Sequence, residues 1–236
     1  MHTWWFSIHK WVGLIVGLQI LAWVASGLFM TVFPIEEVRS EHNIRKAVPR
    51  DLHTAQSLIS AQNAIAAVSA PISRLELVDV AGRWMWRIDS KGKAHTLIDA
   101  EAGKVVSPLD EKAVRSIATA DFAGKGEIVS ASLIAKDAPI EFRGTLPVWQ
   151  LVFDDESATH IYVDPLTAKV VARRSALWRA YDFLWGLHIM DYSARESFNH
   201  WPIIVMSLLA LLTTLTGIGL LVIRFWPAIH RSLKPE

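Results

Sequence analysis

Two uninterrupted apolar stretches, Trp11 to Phe33 and Ser197 to Ile223, stand at opposite ends of a chain of 236 residues, and neither contains Asp, Glu, Lys or Arg. A helix rises about 1.5 Å per residue, so roughly 20 apolar residues cross a hydrocarbon core of about 30 Å, and both stretches are long enough. Charged or aromatic residues mark their boundaries: Lys10, Trp11 and Glu36 around the first, Trp201, Arg224 and Trp226 around the second. Two transmembrane helices in contact with the lipid bilayer are therefore expected. A cleaved signal peptide is the rival reading of the first stretch. Its apolar run is too long for an h-region, and no A-x-A site follows Phe33.

With two spans, both termini lie on one side and the segment from Pro34 to about Asn199 on the other. Lys10, Arg224, Arg231 and Lys234 flank the terminal side, against Arg39, Arg45, Lys46 and Arg195 on the other, so the charge asymmetry is slight. A loop this long is translocated largely regardless of its charge. The termini are expected in the cytoplasm. The chain is 52% hydrophobic yet has a net charge of only +1, which suggests neither nucleic acid nor a strongly acidic partner. The absence of cysteine excludes disulfides, iron–sulfur clusters, thiol catalysis and covalent haem attachment, so an iron cofactor would be held by histidine. Dinucleotide, P-loop, H-E-x-x-H and G-x-S-x-G motifs are missing as well, so a reductase built from this chain would receive its electrons from a partner, a quinol or another haem protein.

The middle of the chain is duplicated. Thr96 to Pro108 reads TLIDAEAGKVVSP and Ile161 to Arg173 reads IYVDPLTAKVVAR; Asp99 matches Asp164, Lys104 matches Lys169, and a Val-Val pair follows each lysine. Trp84 and Trp149 stand the same distance upstream of those aspartates. Each copy reads as a helix followed by antiparallel strands. In the first, the spacing predicts a helix from Asp51, as N-cap, to Val68, then strands at Arg74 to Val80, Arg83 to Asp89, Ala94 to Asp99 and Lys104 to Val106. In the second, a helix from Asp110 to Ala120 precedes strands near Glu127 to Leu133, Leu146 to Asp154, Ala158 to Asp164 and Lys169 to Arg173. Asp99 and Asp164 are expected to close hairpin turns by accepting backbone N–H groups rather than to act as acids or bases. The aromatic and aliphatic run Leu177 to Tyr192 is too short to span and reads as an interfacial helix.

Taken in order, these elements resemble the PepSY-associated transmembrane family. The chain opens on His9-Lys10-Trp11-Val12-Gly13-Leu14, carries two repeats closing on D-x-x-x-G/A-K-V-V, continues with Trp185-Gly186-Leu187-His188 and ends on a helix with Thr216-Gly217 near its far end. The resemblance implies an α+β membrane protein of the bacterial inner membrane: two transmembrane helices flanking a periplasmic domain of two PepSY-like helix-plus-antiparallel-sheet repeats. The division it suggests is a first transmembrane helix in residues 1–34, repeats at 35–109 and 110–176, an interfacial helix at 177–196, a second transmembrane helix at 197–226 and a cytoplasmic tail at 227–236. Larger relatives with more transmembrane helices include haem-containing ferric-siderophore reductases, whereas soluble PepSY domains are often regarded as peptidase-inhibiting modules.

Two readings follow. In the first, the chain binds haem b and passes electrons toward a periplasmic acceptor such as a ferric siderophore. His9 and His188 are then the leading haem-iron ligands, because they fall in the two matching motifs. His200 and His230 are further cofactor-binding candidates: His230 would partner His9 at one membrane face, and His188 and His200 would gather at the other with Tyr181, Trp185 and Tyr192. His9, Gly13 and Gly17, at i, i+4 and i+8, leave a face where a flat macrocycle could lie, although Gly13-x-x-x-Gly17 is also the spacing of close helix packing, including that of a homodimer. In the second reading, the chain is a cofactor-free tethered module that holds or inhibits a periplasmic protein partner. His2, His42, His53, His95 and His160 need no special role in either.

Overall fold

The computed structural model describes residues 2–46, 48, 50–55, 57–91 and 95–232, with the side chains of residues 2–9, 54, 220, 223, 224 and 226–232 excepted. The chain divides into two compact units, residues 1–34 with 180–236, and residues 35–179.

The first unit is built on two long helices, α1 (His2–Val32) and α6 (Trp201–Ser232). Within them Lys10–Val32 and Trp201–Gly219, 23 and 19 residues, are long and apolar enough to cross a membrane. Helix α6 starts four residues later than the apolar run and continues to Ser232, into the segment expected to be a tail. Pro202 sits in its first turn, where a missing N–H costs nothing. The two helices touch, but large apolar side chains remain exposed around both, among them Leu18, Leu21 and Leu28 on α1 and Leu208, Leu211 and Leu215 on α6. Val16 and Ser26 are the buried residues among the described side chains of α1. An apolar surface of this extent in water would be a large liability; hydrocarbon removes it.

The second unit opens with a short turn of helix, α2 (Ile35–Val38). The helix expected from Asp51 to Val68 is cut down to α3 (Ala61–Ala66), capped by Ser60, whose hydroxyl accepts from Asn63 N–H at 3.2 Å. Asp51 caps only a 3-10 turn at Leu52–Thr54. Tertiary hydrogen bonds explain the loss: Ile59 donates its N–H to Ala100 O at 2.8 Å, and its carbonyl accepts Trp86 Nε1 at 3.2 Å, so Ile59 is bound to the sheet instead of to a helix.

The strands β1 (Ile72–Val80), β2 (Arg83–Ser90) and β3 (Thr96–Asp99) form one antiparallel sheet. The strand expected at Lys104 to Val106 is a single bridge, Ile98 to Val105. Helix α4 (Glu111–Asp121), capped by Asp110, leads into a second antiparallel sheet, β4 (Ile128–Ile134), β5 (Val148–Phe153), β6 (His160–Val163) and β7 (Val170–Arg174). The copies share their largest core. Val80, Met85 and Leu97 from the first sheet pack with Val114, Ile117 and Ala118 of α4 and with Leu151, Phe153, Ile161 and Val163 of the second. Strand alternation supplies the reverse faces: Ile88 and Ile98 meet Ala64 of α3, while Val148 and Tyr162 meet Phe142.

Both repeat aspartates build turns. Asp99 Oδ1 accepts the N–H groups of Glu101 and Ala102 at 2.9 and 2.8 Å, and Asp164 Oδ1 accepts Leu166 N–H at 2.8 Å while its Oδ2 takes the Thr167 hydroxyl at 2.7 Å. Burial raises the affinity of Asp99 for a proton, but those N–H groups and the Arg83 guanidinium outweigh it and hold the carboxyl below its ordinary value. Asp99→Ala is expected to lower stability by about 1–2 kcal/mol, as loss of a capping acceptor does, with Asp99→Asn recovering most of it. Thermal unfolding of the two variants checks this.

Candidate functional site

Helix α5 (Ala176–Ile189) carries the Trp185-Gly186-Leu187-His188 motif. Ser175 caps it, accepting Trp178 N–H at 3.1 Å. The segment ends three residues earlier than Tyr192: Met190 takes φ 57°, and the Asp191 carboxylate gathers the N–H groups of Ala194, Glu196 and Ser197 at 3.1, 3.0 and 3.2 Å. Those donors hold the Asp191 carboxyl well below the usual carboxylate range.

Asp182 and Gly186 are buried one turn apart on α5, and Arg195 from the following loop lies across them. Its guanidinium meets Asp182 Oδ2 at 2.7 Å; a Cβ at position 186 would come within 2.7 Å of Arg195 Cγ, so glycine makes room for that stem. Trp185 Nε1 donates to Arg195 O at 3.1 Å, and its ring meets Phe198 edge-on at 5.1 Å. His200 closes the loop by donating Nε2–H to Ile189 O at 2.9 Å.

At the end of α5, α1 fixes His188 through three residues of one helix face. Trp23 Nε1 donates to His188 O at 2.7 Å, and Gly27 faces the ring edge without a side chain, a Cβ there lying 3.8 Å from His188 Cε1, at ordinary contact distance. The third residue is Ser26, fully buried, with Oγ 2.9 Å from His188 Nδ1. The Ser26 hydroxyl also lies 2.7 and 3.1 Å from the carbonyls of Ala22 and Trp23. Ser26 thus engages Nδ1 of the ring, as donor or acceptor according to the tautomer, whereas Nε2 has no hydrogen-bond partner among the described residues. One turn before Trp23, the Gln19 side-chain amide nitrogen is buried, and it too lacks a partner among the described residues.

The other sequence candidates fall differently. His200 is brought to the end of α5 at Ile189, where it spends Nε2 on the backbone carbonyl. His9 lies 17 residues before Ser26 on one continuous helix, about 25 Å of rise, so His9 and His188 of one chain belong to opposite ends of α1. The side chains of His9 and His230 lie outside those described. Gly13, Gly17 and Gly217 face open space, with nothing within 4 Å of an added Cβ, so they do not serve packing between α1 and α6 of one chain. Among the described residues no group of three His, Asp or Glu side chains converges as a metal-ion site.

A second polar cluster, in the unit of residues 35–179, went unread in the sequence. Glu141, buried, accepts from His160 Nδ1 and the Tyr162 hydroxyl, both at 2.6 Å, and from Arg179 at 3.1 Å. Arg174 Nε donates to the Glu141 carbonyl at 2.7 Å. Burial pushes the Glu141 carboxyl up, but the donors, His160 and Tyr162 foremost, outweigh it and hold it at about 2. Tyr162 is pushed above its usual range by burial and by the adjacent carboxylate, so it remains a donor. The pairing of Gln150 with Tyr162 and of Val152 with His160 across β5 and β6 sets this cluster on one sheet face. The signal available was the run of polar residues at alternate positions, His160 and Tyr162.

The family model for PepSY-associated TM regions matches residues 6–234 of the chain. No curated protein and no solved structure matches it.

Proposed function

Because the chain belongs to the family of PepSY-associated TM regions and its two apolar helices make it a membrane protein, we propose that it is a haem b-binding component of the bacterial inner membrane that passes electrons toward a periplasmic acceptor, a ferric siderophore being the family-based candidate. The unit of residues 35–179 is then periplasmic, and both termini are cytoplasmic. The observation that carries the reading is the imidazole of His188, held at Nδ1 by Ser26 with Nε2 left without a hydrogen-bond partner among the described residues, an arrangement that suits an axial ligand with its proton on Nδ1. The surroundings fit a flat macrocycle: Gly27 beside the ring contributes no side chain, and Ser26 and Trp23 fix the orientation of His188. Bound haem would supply a one-electron iron couple. The chain's own residues hold the ligand, exclude water at Ser26 and offer no nicotinamide site, so donor and acceptor are other molecules. His200 through Nδ1, His9, His230 or a second copy of the chain is the source of the other axial ligand; the open Gly13 and Gly17 face suits a homodimer.

Reduced-minus-oxidised spectra of the purified protein, expressed with adequate haem, test the reading; absence of b-type bands returns the chain to a cofactor-free, membrane-tethered PepSY module. Ser26 is a positioning residue in this scheme. Ser26→Ala should keep the bands, raise the midpoint potential and weaken haem retention roughly tenfold, as loss of an outer-shell partner of a ligating histidine does, with Ser26→Thr restoring both. Potentiometric titration reads the first effect and competition by apomyoglobin the second.

A further inference from the structure

Lys169, the lysine repeated in the second copy, opens onto a cleft of about 690 Å³ within the unit of residues 35–179. Six cations, Arg45, Lys46, Arg50, Arg87, Lys169 and Arg173, line it against two carboxylates, Asp79 and Asp121. Both carboxylates are already engaged. Arg173 clasps Asp121 with two N–H groups, Nε at 2.6 Å, and Asp79 takes Gly82 N–H at 2.8 Å with Arg50 at 3.7 Å. Arg87 donates to Thr167 O at 3.1 Å and faces Glu76 at 3.5 Å. Arg45, Lys46 and Lys169 are exposed and have no carboxylate partner among the described residues.

These three cations are presented on a fixed backbone. Arg45 N–H donates to Asp121 O at 2.7 Å, Ile44 bridges Phe122, and Ala123 N–H donates to Asn43 O at 2.9 Å, which ties the basic segment to the end of α4. Lys169 follows Ala168, whose φ of 58° closes the Asp164 turn, and the Lys169 carbonyl accepts Asp164 N–H at 2.9 Å. Between the cations the lining is apolar, with Val80, Ile117 and Ala168. β7 is an edge strand, and lysines commonly guard such edges. Edge protection explains neither why a separate segment brings Arg45 and Lys46 to the same cleft nor why the carboxylates within it are neutralised internally.

We propose that this cleft is a binding site for a multiply charged, phosphate-bearing anion. One carboxylate would answer one of the three uncompensated cations, whereas a phosphate ester carries up to two charges on oxygens that Lys and Arg recognise, and its carbon portion matches the apolar lining. An anionic phospholipid headgroup and a soluble phosphate ester present the same chemistry. The proposal is independent of haem binding.

The test uses the full chain in detergent and in nanodiscs. Native mass spectrometry measures retention of phosphatidic acid, whose headgroup is a phosphate monoester, against phosphatidylcholine, and calorimetric titration with glycerol 3-phosphate measures the soluble arm. Selective phosphatidic acid retention assigns the headgroup as the source, and glycerol 3-phosphate binding assigns the soluble ester. In whichever arm binds, the double variant Lys46→Ala/Lys169→Ala should bind roughly thirtyfold more weakly, taking a typical contribution for each lost charge, while Lys136→Ala, an exposed lysine outside the cleft, should bind as the parent does. No binding in either arm, or equal binding by parent and double variant, overturns the proposal.

Discussion

Replacing His188 by alanine is expected to remove the b-type bands assigned to its end of α1 while leaving the helices in place. The main-chain bond from Trp23 Nε1 to His188 O, at 2.7 Å, does not need the imidazole, and the staple of α5 by Arg195 on Asp182 and by His200 on Ile189 lies outside it. What the variant loses is the Nδ1 contact with Ser26 and the free Nε2. Unchanged far-ultraviolet circular dichroism and elution volume, together with loss of haem by the pyridine haemochrome assay, is the anticipated pair of results. Bands of full intensity in the His188→Ala protein would move the cofactor to other residues. Were half the haem to persist, a second site would be indicated, and His9→Ala and His230→Ala then locate it.

The other large effect concerns stability. Glu141→Ala should cost about 2–3 kcal/mol, because it leaves the buried Tyr162 hydroxyl and the half-buried His160 ring without their shared acceptor and removes one partner of Arg179. Glu141→Gln keeps the shape and an acceptor and should cost less. The pH dependence follows from the depressed carboxyl. Glu141 titrates at about 2 when folded, against the ordinary value of 4.5, so the folded state binds fewer protons in that interval. Its contribution is complete above pH 4.5 and is lost as the pH falls toward 2, a change of about 3 kcal/mol. Denaturant unfolding of the parent should therefore weaken through that window, and the Glu141→Gln curve should be flatter there. An equal slope in both proteins would remove Glu141 from the acid response.

The long helices were legible because their signal is local: twenty or more apolar residues without a charge leave few alternatives. The turns at Asp99 and Asp164 were legible for the same reason, since each aspartate bonds to N–H groups two or three residues on. What depended on distant partners was not. Residues after Asp51 have helical spacing, yet Ile59 is drawn out by Ala100 and Trp86, from another part of the chain. The Glu141 cluster joins residues 141, 160, 162 and 179, whose spacing has no motif and whose meeting is set by the register of β5 on β6. Ser26 lies inside an apolar run and belongs to no motif. Gln19, Trp23 and Ser26 at i, i+4 and i+7 form a polar line along one side of a membrane helix, and that line was the clue.

The core shared by the two copies has an evolutionary consequence. Val80, Met85 and Leu97 of the first copy have their cover in α4 and the sheet of the second, and Leu151, Ile161 and Val163 have theirs in return. With the interiors merged in this way, deletion of one copy is expected to strip the other of its hydrophobic cover, so that a single copy expressed alone should fail to unfold cooperatively. The repeat tolerates drift in sequence, as Gly103 and Ala168 show by holding the same left-handed turn position at φ 70° and 58°, but excision of one copy would expose the core that the two now share.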